Sequence, residues 1–328
     1  MKYAILAVGL GGAALIGLVA WFGAQTIGQD VLRADWAIPA TIALHLLQLF
    51  LSGVAWRISV GAEKPSTSIY FRLRWIREAV NSLLPVAQMG GNLVGIRMLV
   101  LRGVPGSLAG AGTTLDLTIE ALTQFVWTMI GIAVLATISS DQSWRPWLEG
   151  GMIAMGLGLA GFVVAQRAGL MRLIEALATR LQRVFPSLSM DQVRGLHAEL
   201  MRLQANRGAL AQAFGIHLFT WMIGTFEVWV ALTAMGVAIR PTEALVIESL
   251  GMAARSAGFV VPGALGVQEG GFILVCGLFG IHADTAIALS MVKRVRELAV
   301  GLPGLVSWQV SEGKRLVRRQ RAAADEGS

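Results

Sequence analysis

The stretch Arg77-Glu-Ala-Val-Asn-Ser-Leu-Leu-Pro-Val-Ala-Gln-Met-Gly-Gly-Asn92 decides the fold. It lies in an apolar segment, about 68–103, that is long enough for a membrane helix yet carries Pro85, Gln88, Gly90 and Gly91 near its middle. Proline removes a backbone donor and clashes with the preceding turn. Backbone groups set free in hydrocarbon are tolerated only where protein or water satisfies them. A second segment, about 244–280, is broken correspondingly by Pro262, Gly263, Gly266, Gly270 and Gly271. Sliding the sequence along itself until Pro85 falls on Pro262 also puts Leu101 on Leu278, Gly103 on Gly280, Ala109 on Ala286, Ala111 on Ala288 and Glu120 on Glu297. Leucine and alanine matches are cheap in so apolar a chain; the proline, glycine and glutamate matches are not. The chain reads as two copies of one unit, near 68–138 and 244–311.

Outward from these segments the composition is that of a polytopic membrane protein. Of 328 residues, 55% are hydrophobic and 14% charged, whereas a soluble domain carries about 25% charged residues. Six stretches, roughly 3–24, 37–56, 107–138, 148–166, 208–237 and 283–311, are apolar and near the ~20 residues that cross ~30 Å of hydrocarbon. The first is too long for the core of a signal peptide and reads as an uncleaved helix. The expected fold is all-α: about six full transmembrane helices plus two re-entrant broken helical hairpins. Three full spans then separate the copies, and an odd number inverts the second copy relative to the first. Inverted repeats with broken helices are a common way to build a midplane transport site.

With both broken segments treated as hairpins, twenty of the 27 basic residues fall on one side, and only Arg33, Arg145 and Arg240 on the other. The positive-inside rule puts both termini in the cytoplasm. That distribution accounts for the net charge of +7 without any nucleic-acid partner. Residues 167–206 form the one long polar connection. Leu170, Leu173, Ile174, Leu177 and Leu181, then Leu196, Leu200 and Leu203, recur at helical spacing, the latter after a Ser189–Gln192 capping-box pair. They predict two amphipathic helices on the inner leaflet, where arginines meet anionic head groups. Residues 1–313 read as one transmembrane domain and 314–328 as a basic cytoplasmic tail.

Charge inside the spans points to function. A charge at a helix centre costs about 2.5–3.5 kcal/mol even on lenient scales, yet Lys293, Arg294, Arg296 and Glu297 crowd into a single helical turn. Lys293 and Glu297 stand at i, i+4 and can pair. Asp116 and Glu120 share a face in the other copy, so pairing across the copies is expected. The broken segments add Arg77, Glu78, Asn81, Asn92 and Arg97 in the first copy, and Glu248, Arg255, Gln268 and Glu269 in the second. A polar pathway for a charged group is one reading; ion pairs that merely hold the copies together are the other. Glu227, alone in its span, divides evenly between packing and function.

Other motifs carry less. Gly156, Gly158 and Gly161 match GxGxxG but lie within a span, where helix packing is the expected role. His45, His197, His217 and His282 show no metal-ligand spacing, Cys276 is the single cysteine, and nothing in the sequence requires a cofactor or metal. No catalytic constellation stands out, so a non-enzymatic protein is expected.

The run from Arg77 through Asn81 and Leu83-Leu84-Pro85, followed by Gly90-Gly91-Asn92, Arg97 and Leu101-Arg102-Gly103, resembles a known signature. There an Asn and "LLP" or "FLP" precede Gly-Gly-Asp and an arginine. Pro262-Gly-Ala-Leu-Gly-Val-Gln-Glu269 resembles its second motif, "PGGLG" followed by Glu. Together they are similar to the flippase-like membrane domain of the lysylphosphatidylglycerol synthase superfamily, in its compact, hopanoid-biosynthesis-associated form. The resemblance covers nearly the whole chain. Asn92 and Ala264 depart from the acidic residue and glycine common there.

This resemblance implies a multi-pass bacterial inner-membrane protein that handles lipid: an anionic phospholipid, an aminoacylated lipid or a hopanoid. The bifunctional relatives carry a soluble transferase domain, which the short stretch after Arg321 would not accommodate, so no synthase is expected. The expected activity is lipid translocation. Arg77, Asn81, Asn92, Arg97, Arg255, Gln268 and Glu269 would line the hairpin entrances, with Asp116, Glu120, Lys293, Arg296 and Glu297 as a central network. A non-transporting accessory of a lipid-biosynthetic complex is the alternative. The glycine-rich spans permit a homodimer.

Overall fold

A computed structural model describes residues 36–61, 65–84, 90–138, 145–170, 195–258 and 264–325, with a few isolated positions; side chains beyond 311 are not described. Every element among these residues is helical. Numbered along the described chain they are α1 (Ala37–Val60), α2 (Thr67–Leu83), α3 (Gly90–Val100), α4 (Gly106–Ile138), α5 (Arg145–Ala165), α6 (Leu196–Ala205), α7 (Arg207–Ala234), α8 (Pro241–Ala257), α9 (Val267–Gly277) and α10 (Ala283–Asp325). A π-helical turn, Gln166–Leu170, extends α5.

Four helices are long and apolar enough to cross a membrane: Ala37–Val60, Gly106–Ile138, Leu148–Leu170 and Arg207–Ala234. They match four of the six expected spans to within a few residues. The expected span 3–24 lies outside the described residues. The span 283–311 falls in α10, a 43-residue helix with Pro303 inside it, whose charged cluster keeps it out of the apolar class. That helix continues without a break through 314, where the sequence suggested a separate tail.

The two broken segments fold alike. Each has a 17-residue helix, a break and an 11-residue helix. Pro85, Gln88, Pro262 and Gly263, the residues expected at the breaks, lie outside the described residues. The turns that follow match bond for bond in the register that sets Pro85 on Pro262. Gly103 N–H donates to Val100 O and Val104 N–H to Leu99 O, as Gly280 N–H donates to Gly277 O and Ile281 N–H to Cys276 O. Both turns use a glycine in the left-handed region, Gly103 at φ 88° and Gly280 at φ 70°, where a Cβ is unfavourable. Helix α2 ends at Leu83 and α3 begins at Gly90, whereas α8 ends at Ala257 and α9 begins only at Val267, a longer interval. Ahead of the breaks the register therefore shifts, and α2 corresponds to α8 with Thr67 on Pro241 and Leu83 on Ala257.

Packing joins the copies around α1 and α7. One core gathers Trp56, Tyr70, Leu73, Ile76 and Leu99 from α1, α2 and α3. A second gathers Leu232, Ile247, Phe272, Ile287 and Leu289 from α7, α8, α9 and α10. Close approach requires glycine at Gly112, where a Cβ would stand 2.5 Å from the Cα of Val60. Two expectations change here. The leucines of α6 (Leu196, Leu200 and Leu203) are buried against Ala111, Leu115 and Ile119 of α4, so this face meets protein. Residues 174–194, the rest of that connection, are outside the description. And of the three glycines expected to pack helices on α5, a Cβ at Gly158 or Gly161 would meet no atom within 4 Å among the described residues, whereas one at Gly156 would stand 3.3 Å from the Phe125 ring of α4.

Candidate functional site

The first charged group joins side chains of α2 and α4. Arg74 holds Glu120 with both terminal nitrogens, at 2.7 and 3.1 Å, the bidentate geometry in which guanidinium and carboxylate bind most strongly. One turn on, Arg77 donates to Asp116 at 2.8 Å and lies 5.3 Å from the centre of the Trp56 ring. His217 of α7 reaches the other Asp116 oxygen at 3.0 Å. Asp116 is wholly buried and Arg77 nearly so. At the start of α3, the Gly91 N–H donates to Asn81 Oδ1 at 2.8 Å, and a Cβ on Gly91 would overlap the Arg77 carbonyl.

A second group forms among α8, α9 and α10. Arg255 donates to both Gln268 and Glu297. Lys293 donates to Glu248 at 2.6 Å, and Arg294 bridges Glu269 at 3.1 Å and Glu297 at 3.3 Å. Arg296 turns to Glu227 of α7. Glu269 is fixed at both oxygens: one accepts from the Gly266 N–H at 2.7 Å, the other from the Ser290 hydroxyl at 2.8 Å.

Two contacts of the first group recur at corresponding positions of the second with changed chemistry. In the registers just described, one ahead of the breaks and one after them, Arg74 and Asp116 (3.8 Å apart) correspond to Glu248 and Lys293. The polarity is reversed at the same place. Likewise the Asn81–Gly91 bond corresponds to the Arg255–Gln268 bond. Both groups open on one cavity of about 470 Å³, within the ~300–1,000 Å³ of small-molecule sites. Arg74, Arg77 and Glu120 line it from the first copy; Arg255, Lys293 and Glu297 from the second; His45, Gln48 and Trp221 from α1 and α7.

Of the residues singled out in the sequence, Arg77, Asn81, Asn92, Glu120, Arg255, Lys293, Arg296 and Glu297 line this cavity. Asp116 and Gln268 are not in the lining but hold Arg77 and Arg255, which are; Glu269 is off the lining and binds Gly266, Ser290 and Arg294. Arg97 is exposed on α3 and is not among the residues that line the cavity. The expected pairing across copies does not occur either: Asp116 and Glu120 pair within the first copy, and Lys293 takes Glu248 instead of Glu297. Arg74 escaped notice because it reads as a flanking loop charge, although its i, i+3 spacing to Arg77 was the available signal. His45, Gln48 and His217 had none beyond their place in apolar helices. Among the described residues no three His, Cys, Asp or Glu gather as metal ligands.

The chain matches the family profile "Lysylphosphatidylglycerol synthase TM region" over residues 4–304. It belongs to that family. A relative described as a UPF0104 membrane protein, from Methanothermobacter thermautotrophicus, is 25% identical over 319 residues, covering 89% of this chain and 88% of the relative. No solved structure matches the chain. Within this lysylphosphatidylglycerol synthase TM member, the two motif segments supply α2, α3, α8 and α9, the helices that carry Arg74, Arg77, Glu248 and Arg255 to the cavity.

Proposed function

We propose that this protein moves the polar head group of a membrane lipid between leaflets through the charged cavity, while the apolar tail stays in the bilayer. The observation that carries the reading is a single cavity lined with ionised side chains from both copies, deep among helices long enough to span a membrane. Charge in that setting is costly unless it serves a hydrated path or a partner. In this reading the chain has six full spans and two re-entrant hairpins, the copies are inverted, and both termini face the cytoplasm of the inner membrane. The cargo is an anionic phospholipid, an aminoacylated lipid or a hopanoid. No bond of the lipid is made or broken.

A second reading, a non-transporting lipid-binding scaffold, is favoured by the closure of the ion pairs within each copy. Native mass spectrometry of protein extracted with its own membrane lipids tests the head-group site that translocation requires. Translocation predicts one lipid class retained by wild type and lost by an Arg296→Ala, Glu297→Gln variant. Retention of the same bulk lipids by both favours the scaffold.

A further inference from the structure

Glu227 stands apart from the other buried carboxylates. It is 1% exposed in the middle of α7. Its Oε2 accepts from Arg296, but its Oε1 has no hydrogen-bond partner among the described residues. An unsatisfied carboxylate oxygen in such a place costs free energy unless something binds it. His45 of α1 faces it, with Nδ1 3.9 Å away.

The tautomer of His45 follows from its neighbours. Gln48 presents its amide nitrogen to the Thr220 carbonyl at 2.9 Å. A carbonyl only accepts, so the Gln48 oxygen is the atom left facing His45 Nδ1 at 3.0 Å. Nδ1 therefore carries the hydrogen, and Nε2 of the neutral ring is the basic nitrogen. His45 and Gln48 both line the cavity. The imidazole therefore lines the cavity and lies 3.9 Å from the unpaired carboxylate oxygen.

We infer that His45 and Glu227 form a proton-binding relay that couples lipid movement to a proton gradient; the coupling rests on the translocation reading above, the proton site does not. A proton arriving from the cavity adds to Nε2; the ring then leaves Gln48 and closes the 3.9 Å gap, and the Nδ1 proton passes to Glu227 Oε1. The ring is left neutral as the Nε2–H tautomer, and Glu227 becomes the neutral acid. Arg296 then loses its counter-ion. The remaining carboxylate near it is Glu297, at 3.9 Å, which also accepts from Arg255. Protonation of Glu227 thus draws Arg296 toward the pair at the cavity wall. The other charges around Glu227 are Lys293 and Glu248, which hold each other at 2.6 Å on α10 and α8. From α4, Asp116 meets α7 at His217, which lies roughly 15 Å along the helix from Glu227 at 1.5 Å of rise per residue.

Two readouts on the full-length protein test this separately. Infrared difference spectra across a pH titration, in vesicles of phosphatidylethanolamine and phosphatidylglycerol, are expected to show a protonated-carboxyl band that is absent from Glu227→Gln. No such band in wild type, or one that survives in Glu227→Gln, overturns the proton site. In the same vesicles, tagged phosphatidylglycerol is followed under an imposed pH difference. One-proton coupling gives a leaflet ratio of up to about tenfold per pH unit, and His45→Asn and Glu227→Gln are expected to abolish that bias. Lipid that moves in wild type without responding to the gradient overturns the coupling. Lipid that does not move at all overturns the translocation reading, and the infrared band still decides the site.

Discussion

Arg77 and Asp116 are both 2% exposed or less, and each depends on the other for the solvation water no longer provides. Removing one partner of such a pair costs about 3–5 kcal/mol, because the survivor is left charged and buried, whereas replacing both by neutral groups of similar size is close to neutral. Arg77→Ala should therefore lower the thermal unfolding temperature in detergent sharply. Arg77→Met combined with Asp116→Asn should recover most of the loss, since asparagine still accepts from His217. Equal destabilisation by the single and double variants would show that the pair is not the source. The sequence made the intramembrane acids conspicuous but not their partners. Which arginine meets which carboxylate is a tertiary fact, and helical spacing reports only neighbours on one helix.

Helix spans, by contrast, were largely legible, because about twenty apolar residues in a row have few other uses. The breaks announced themselves through proline and glycine, and the register that sets Pro85 on Pro262 recurs in the turns after α3 and α9. What amphipathicity could not say was whether the leucines of α6 face lipid or protein, since either buries the same surface. Glycine was ambiguous for a similar reason. Gly112 is pressed against Val60, whereas Gly158 faces open space among the described residues. Gly112→Ala is expected to destabilise by about 1–3 kcal/mol through overpacking. Gly158→Ala should leave unfolding unchanged or slightly improved, as expected for alanine replacing glycine within a helix. Denaturant titrations of the two purified variants make the comparison; matching losses would mean that Gly158 is packed after all.

For the whole molecule, the reversed polarity of the Arg74–Asp116 and Glu248–Lys293 contacts gives the cavity two chemically distinct walls built on one plan. An inverted arrangement of the copies would let those walls exchange access. It predicts that cysteines placed at Arg102 and at His282, the turns after α3 and α9, label from opposite sides of the membrane with an impermeant maleimide, in a background lacking the buried Cys276. Labelling from one side would make the copies parallel. Family membership narrows the setting to lipid-related membrane proteins but leaves the movement itself to be measured. The most direct measurement is dithionite quenching of tagged phosphatidylglycerol in vesicles carrying wild type or a Glu120→Gln, Glu297→Gln variant. The wild type should expose inner-leaflet label, and the variant should do so at least about tenfold more slowly, a barrier increase of about 1.4 kcal/mol. A correctly folded variant that moves lipid at the wild-type rate would contradict transport through the charged cavity.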